Sequence, residues 1–280
     1  MYKSFLKCFF ISVSLGIASV ATAQDAPKRS IEKIAGDVYR FQNNFHYSLV
    51  VLTDEGVVVV DPINSDAASW LRDELKTLTD KPVSHLIYSH SHLDHASGGL
   101  VYTGTATVVA HANAPAAIDG VAPDIRFEQN ETMQIGDKTL ELTWLGEGHG
   151  NDLIAVVVRP ENVAFITDAA SPKRLPWRNM GGANLDGWIN QIKAIEALDF
   201  DIFAPAHGSV GVKADATDVR IYMEELKSAV LDGLKAGKST DDLVSEVLME
   251  DYAQWQQYEE WRPLNVQGMA NFLQASGQVN

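Results

Sequence analysis

The chain has 280 residues, 37 of them acidic and 22 basic, which gives a formal charge of −15 at pH 7. A chain this acidic repels nucleic acid and anionic lipid, so neither is expected as a partner. The single cysteine, Cys8, lies near the N-terminus, which excludes a disulfide, a catalytic thiol and a thiolate-bound metal from the rest of the chain.

Residues 1–23 are predicted to be a secretory signal peptide. Lys3 provides a basic start, an apolar run extends from Phe5 to Val20, and Ala21-Thr22-Ala23 matches a cleavage site of small residues. The run is too short for a membrane anchor. Cleavage after residue 23 removes two lysines and no acid, which moves the charge from −15 to −17. The sequence therefore predicts an exported, periplasmic protein without membrane contact after cleavage.

Residues 24–212 are predicted to form the catalytic domain, of α/β class. Short runs of β-branched residues indicate strands, and longer periodic runs indicate helices. The predicted elements are strands at 37–41, 48–52 and 57–60, a helix at 66–78, strands at 85–89, 107–110, 139–144, 153–158 and 163–167, a helix at 185–198, and a strand at 202–204. Two β-rich halves, each with helices, predict two sheets packed face to face with helices outside.

Residues 213–280 are predicted to form a C-terminal helical extension. The stretch 218–236 is periodic, and a new helix start follows it. Trp255, Tyr258 and Trp261 then recur at intervals of three residues. This aromatic stripe is expected to pack against the main domain, with a substrate or dimer surface as the alternative.

The hexapeptide after the strand at 85–89 carries metal-binding chemistry. His90-Ser91-His92-Leu93-Asp94-His95 holds three imidazoles and one carboxylate, which are the ligands that zinc prefers. In an extended chain, residues two apart point the same way, so His90, His92 and Asp94 can converge while His95 turns elsewhere. This divergence suggests two metal ions. A solvated surface loop is the alternative.

Three further candidate ligands lie beside predicted strands, where functional groups often sit on a rigid scaffold. They are His149, Asp168 and His207. The other histidines lack such a context and are expected to be structural or surface residues: His46, His85 and His111. For His46, which lies in a predicted hairpin connection, a place beside the pocket is the alternative.

These residues together resemble the metal motif of the metallo-β-lactamase superfamily, over about residues 35–212. The resemblance implies a four-layer αββα sandwich with two zinc ions at one edge of the sheets. It also implies that Asp61 supports the ligand loop. The implied ligands are His90, His92 and His149 for one ion and Asp94, His95 and His207 for the other, with Asp168 bridging the two or close by.

Residues 179–188 resemble the loop and helix start of zinc β-lactamases of the first subclass. By analogy, a hydroxide held by the zinc ions attacks the β-lactam amide. Asp94 both binds zinc and orients the hydroxide, and Asn179 donates a hydrogen bond to the oxyanion. The leading expectation is an exported dinuclear zinc hydrolase of the β-lactamase type, acting on a small-molecule substrate.

Departures from that subclass keep alternatives open. Asp168 stands where those lactamases have cysteine and resembles glyoxalase-type hydrolases, whereas His95 resembles the third lactamase subclass. Ser171 replaces the lysine that pairs with the substrate carboxylate. Lys173 or Arg174 is a candidate substitute, but the favoured interpretation of both is a charge on a solvated loop. A lactone or thioester hydrolase is therefore the main alternative. A redox enzyme with a single iron and a non-catalytic metal-binding protein of this fold are the others.

Overall fold

The computed structural model of the protein describes residue 1 and residues 26–279. The predicted signal peptide, residues 1–23, lies outside this described part apart from Met1. Within the described part, no helix combines the length and the hydropathy that crossing a bilayer requires.

The first half of the chain forms a seven-stranded mixed sheet whose strands lie side by side in sequence order. Neighbouring strands from β1 to β4 are antiparallel, and those from β4 to β7 are parallel. The strands are β1 (Arg29–Ala35), β2 (Val38–Asn43), β3 (His46–Leu52), β4 (Val57–Val60), β5 (Val83–Ile87), β6 (Thr107–His111) and β7 (Ile125–Phe127). Parallel neighbours need crossovers, and these contain α1 (Ser65–Glu74) and the short α2 (Leu93–Ala96).

The second half forms a six-stranded sheet in the order β13-β12-β11-β10-β9-β8. All of its neighbouring strands are antiparallel except β11 and β12, which are parallel because α3 (Leu185–Ala197) connects them. The strands are β8 (Asn130–Ile135), β9 (Lys138–Trp144), β10 (Ile154–Arg159), β11 (Val163–Ile166), β12 (Ile202–Pro205) and β13 (Gly211–Val212).

The valines of β4 show how the layers are held together. Side chains alternate between the faces of a strand, so Val58 and Val60 pack between the two sheets while Val57 and Val59 pack on the outer face, in one cluster with residues of α1. Burial of one such side chain stabilises the fold by about 1.5–3 kcal/mol. The second sheet is covered on its outer face by α3 and the C-terminal helices. The predicted αββα sandwich with a C-terminal helical part is confirmed.

The C-terminal part contains α4 (Lys213–Lys235), α5 (Thr240–Glu246) and α6 (Tyr258–Ala275). Its buried side chains belong to the same hydrophobic cluster as α3 and the outer face of the second sheet, and Trp255 and Trp261 are among them. Helix α6 approaches the loop after β11 so closely that a Cβ atom on Gly268 would overlap the carbonyl oxygen of Asn179. The predicted extension, residues 213–280, therefore shares a hydrophobic core with the second sheet of the sandwich.

Candidate metal centre

The predicted metal ligands meet at one edge of the sandwich. His90 lies three residues after β5 of the first sheet. In the second sheet, His149 lies between β9 and β10, Asp168 two residues after β11, and His207 two residues after β12. Because strand ends from both sheets meet here, the loops bring together donors that are more than 100 residues apart in the chain.

The carboxylate of Asp168 lies at the middle of this group. Its Oδ2 atom is 3.4 Å from Nε2 of His90 and 3.3 Å from Nε2 of His149. Its Oδ1 atom is 3.3 Å from Nε2 of His95 and 3.2 Å from Nε2 of His207. Each carboxylate oxygen therefore faces a different pair of imidazoles, as a residue between two metal ions should.

Other donor atoms around this carboxylate are spaced in the same way. Nδ1 of His92 is 3.2 Å from Nε2 of His149, and the Nε2 atoms of His95 and His207 are 3.2 Å apart. Oδ2 of Asp94 is 3.4 Å from Nε2 of His95. Two ligands of a tetrahedral zinc ion with bonds of about 2.05 Å lie about 3.4 Å apart. The donor spacing therefore fits zinc.

The donors fall into two groups that can each hold a metal ion. Nε2 of His90 is buried and has no hydrogen-bond partner among the residues that the structure describes, which is costly unless an ion accepts its lone pair. Within each group, the donor atoms all lie within 4.8 Å of one another: His90, His92, His149 and Asp168 form the first donor group, and His46, Asp94, His95 and His207 form the second donor group. All seven predicted ligands are included, together with His46.

The electrostatics of the centre favour a cation. Burial raises the pKa of Asp168, but the charge of His95 and hydrogen bonds from His149 and His207 outweigh burial and hold that pKa well below its usual range. Burial lowers the pKa of His90 to about 4 and also lowers the pKa of His92 and His207, so these rings are neutral at pH 7. For His95, Asp168 outweighs burial and raises the pKa to about 9, so a metal ion must displace a proton there.

Asp61 supports the hexapeptide through Ser89. The Asp61 side chain is fully buried, and its Oδ1 and Oδ2 atoms accept hydrogen bonds from N of Ser89 at 2.8 Å and Oγ of Ser89 at 2.6 Å. Oγ of Ser89 lies 3.0 Å from Nδ1 of His90. Burial raises the pKa of Asp61 to about 6. This chain of contacts fixes the orientation of the His90 ring, as such contacts do around metal ligands.

Two residues of α3 that the sequence did not single out position the other ligand loop. Gln191 is fully buried, and its amide accepts a hydrogen bond from N of His149 at 2.7 Å and donates one to O of Gly146 at 2.7 Å. The ring of Trp188 contacts that of His149 edge-on, and its Nε1 donates to O of Ala169 at 2.7 Å. A glutamine on an otherwise apolar helix face is the one signal in the sequence that could have revealed this role.

A cavity of about 540 Å³ opens over the donor groups. Its walls come from the β2–β3 hairpin, the loop after β11 and the start of α6. The lining residues outside the donor groups include Phe45, Ala169, Ala170, Ser171, Arg174, Leu175, Pro176, Trp177, Arg178, Gly181, Gln257, Glu260 and Trp261. The C-terminal helical part therefore contributes directly to the candidate substrate site.

Arg174, and not Lys173, reaches this cavity. The Lys173 ammonium pairs with Asp218 and lies 3.7 Å from Asp215. The Arg174 guanidinium lies over the ring of Trp261, 4.6 Å from its centroid. Among the described residues, no carboxylate lies within 4.0 Å of its nitrogens, and burial lowers its pKa. Arg174 thus brings a positive charge to the cavity, and this charge has no acidic partner among the described residues.

The other predicted residues lie away from the centre. Asn179 is exposed, its Oδ1 accepts a hydrogen bond from N of Gly181 at 3.3 Å, and it does not line the cavity. Its role as an oxyanion donor stays a prediction. His85 contacts Ser84, and His111 stacks on the Trp144 ring, so both lie outside the donor groups.

Comparison with known families identifies the chain. The sequence model of the metallo-beta-lactamase superfamily matches residues 43–207, so the chain belongs to this superfamily. Membership and the two donor groups support a metal-dependent hydrolase that acts on a small molecule. The matched region ends before α4, so the C-terminal helices that wall the cavity lie beyond it.

Two curated relatives are each 25% identical to the chain. The alignment with the 2,4-dinitroanisole O-demethylase subunit alpha of Nocardioides sp. (strain JS1661) spans 232 residues, which is 77% of this chain and 69% of that protein. The alignment with the metallo-beta-lactamase type 2 of Elizabethkingia meningoseptica spans 214 residues, which is 66% of this chain and 80% of that protein.

Solved structures show the same fold. The metallo-beta-lactamase from Pontibacter korlensis superposes with a TM-score of 0.63 and 23% identity over 70% of this chain and 99% of that chain. The protein TMB-1 superposes with a TM-score of 0.62 and 18% identity over 71% of this chain and 99% of that chain. At these identities the likeness is one of fold.

Proposed function

We propose that the protein is an exported hydrolase that uses two zinc ions to open the amide of a β-lactam. The observation that carries the proposal is the place of Arg174 in the cavity above the donor groups. β-Lactam antibiotics carry a carboxylate close to the reactive ring, and a guanidinium binds such a group well. The donor groups and the cation together therefore suit an anionic cyclic amide.

The donor groups would hold the metal, and Asp94 has a further role. Zinc, when bound, supplies a Lewis acid and a water molecule that ionises near neutral pH. The Asp94 side chain is 57% exposed and lines the cavity. Before a metal ion binds, the contact with His46 lowers the pKa of Asp94, so this carboxylate is ionised at neutral pH. While Oδ2 faces the second donor group, the other carboxylate oxygen can accept a hydrogen bond from the attacking water and orient it toward the substrate carbonyl.

The direct test is hydrolysis of nitrocefin by zinc-loaded protein, with zinc-stripped protein as the control. Asp94→Ala is expected to lower kcat by at least about 100-fold, because the water loses its orienting acceptor. His92→Ala is expected to have an effect of the same size through loss of a ligand. Near wild-type turnover by either variant with zinc fully loaded would refute the role proposed for the substituted residue.

Carboxylate binding is tested separately with a matched pair of variants. Arg174→Ala is expected to raise KM for nitrocefin about tenfold or more, because a charge-assisted hydrogen bond contributes about 1.5–3 kcal/mol. Lys173→Ala, which removes the neighbouring cation outside the cavity, is expected to leave KM within about twofold. Equal effects of the two substitutions would mean that the cavity cation does not bind the substrate.

A lactone, thioester or aryl ether is the second candidate substrate class. Asp168 in place of a thiolate favours the first two, as in glyoxalase-type hydrolases. The aromatic side chains of Phe45, Trp177 and Trp261 around the cavity, and the name of the O-demethylase relative, favour an aryl ether. A panel of an acyl lactone, an acyl thioester and 2,4-dinitroanisole, assayed beside nitrocefin, distinguishes them. A kcat/KM for one of these three substrates that exceeds the kcat/KM for nitrocefin would refute the β-lactam proposal in favour of that substrate's class.

Export is the remaining part of the proposal, and the pattern of residues 1–23 supports it. N-terminal sequencing of protein recovered from a periplasmic fraction is expected to start at Gln24. Recovery from the cytoplasm with an intact Met1 would contradict export.

A further inference from the structure

His46 is held beside the second donor group by contacts between the two sheets. It is the first residue of β3 and pairs with Asn43 across the β2–β3 hairpin. On one side of it, N of Tyr47 donates to O of Ala206 at 2.9 Å. On the other side, O of Phe45 lies 2.8 Å from Nδ1 of His207. Because both chain neighbours of His46 are bonded to the loop after β12, the His46 ring has a fixed place beside the His207 ring.

The position of the His46 ring is that of a metal ligand. Its centroid lies 4.8 Å from that of His207 and 5.2 Å from that of His95, and both ring pairs are edge-on. Its Nε2 atom is 3.5 Å from Oδ2 of Asp94, which is close to the separation of about 3.4 Å between ligands of one zinc ion. The donor atoms of these four residues all lie within 4.8 Å of one another.

We infer that His46 is a further ligand of the ion that Asp94, His95 and His207 hold. The inference rests on the proposed metal-dependent function. Oδ1 of Asp168 also faces this group, so the second ion would have three imidazole and two carboxylate donors. The first ion would have three imidazoles and Asp168. The second site is then the one with more ligands, and the extra imidazole raises its affinity for zinc.

The competing role for His46 is a hydrogen bond to Asp94 alone, and two substitutions separate the roles. His46→Ala removes both the ligand and the donor. His46→Gln keeps an N–H group that can reach Asp94 but removes the imidazole, which zinc prefers to an amide. His85→Ala is the matched control, because it removes a histidine that lies outside both donor groups.

The measurement is zinc content per chain after equilibration with a series of chelator concentrations, by mass spectrometry. We expect wild-type protein and His85→Ala to release the zinc ion of the second donor group at the same chelator concentration. His46→Ala and His46→Gln are expected to release it at a concentration at least about tenfold lower. Release of the zinc ion of the first donor group should occur at the same chelator concentration in all four proteins. This unchanged release also shows that the variants are folded.

The inference is overturned if His46→Gln or His46→Ala holds the zinc ion of the second donor group as tightly as the wild-type protein does. Absorption spectra of the cobalt-substituted proteins give a second readout, since loss of an imidazole ligand from one ion changes the intensity of the visible bands. Unchanged spectra in both His46 variants also overturn the inference. Substrate turnover plays no part here, so failure to hydrolyse nitrocefin refutes the β-lactamase proposal and leaves this result standing.

Discussion

Asn265 of α6 is expected to anchor the loop that lines the cavity. This side chain is fully buried, and its Oδ1 atom accepts a hydrogen bond from the hydroxyl of Tyr222 at 2.7 Å. Its Nδ2 atom donates to O of Pro176 at 3.0 Å and also to O of Arg178. Pro176 and Arg178 both line the cavity. One amide therefore joins α4, α6 and the cavity loop.

Asn265→Ala leaves one hydroxyl and two carbonyls without these partners. Each unsatisfied buried group costs about 1 kcal/mol or more, and the space left by the amide adds to this. The free energy of unfolding is therefore expected to fall by about 3–4 kcal/mol. Asn265→Asp keeps the acceptor for Tyr222 but presents a second acceptor to the two carbonyls, so it should destabilise the protein by a similar amount.

Urea denaturation of the zinc-loaded proteins measures the change in stability. Asn190→Ala is the control, because Asn190 is exposed on α3 and its loss should change stability by less than about 0.5 kcal/mol. Since the loop lines the cavity, Asn265→Ala should also raise KM more than it lowers kcat. A loss below about 1 kcal/mol in Asn265→Ala, or a KM equal to that of the wild type, would refute the anchoring role.

Three other substitutions test the surroundings of the site. Gln191→Ala removes the acceptor for N of His149 and is expected to weaken zinc binding by about 10–100-fold in chelator competition; unchanged affinity would contradict this. In the folded protein the pKa of Asp61 is about 6, raised from 3.8, so folding favours the protonated carboxyl. In zinc-free protein this stabilisation is fully present below about pH 4 and is lost as the pH rises through 6. Urea denaturation should show that Asp61→Asn removes about 3 kcal/mol of this decline; an unchanged pH profile argues against it. Lys138→Met removes the ammonium that lies 2.5 Å from the half-buried Glu161 carboxylate and should cost about 1.5–3 kcal/mol in urea denaturation, whereas a loss under about 0.5 kcal/mol would show that the pair contributes little.

The sequence predicted the central strands well because both faces of those strands are buried. Val57–Val60 and Ile154–Val158 are continuous apolar runs with no alternative exposed face. The edge strands β1 and β8 were missed because they are rich in polar residues and largely exposed. The predicted helix at 66–78 is α1, which ends at Glu74 and continues as a 3₁₀ turn through Thr77.

The candidate ligands were predictable where they share the compact hexapeptide 90–95 or lie beside a predicted strand. His90, His149, Asp168 and His207 could be found in this way. The contribution of His46 depends on contacts between the β2–β3 hairpin and the loop after β12. No local pattern encodes a contact between residues that are 162 positions apart, such as Phe45 and His207. For the same reason the aromatic stripe left two roles open for Trp261, packing against the main domain or forming a substrate surface, and the structure shows this side chain buried in the core and lining the cavity.

The most direct test of the metal centre is a zinc-edge anomalous difference map from crystals of zinc-loaded protein. We expect two peaks about 3.5–4 Å apart. One peak should lie beside Oδ2 of Asp168, within the first donor group, and the other beside Oδ1, within the second donor group. A single peak, or two peaks with Asp168 bound to neither, would show that this carboxylate does not lie between two metal ions.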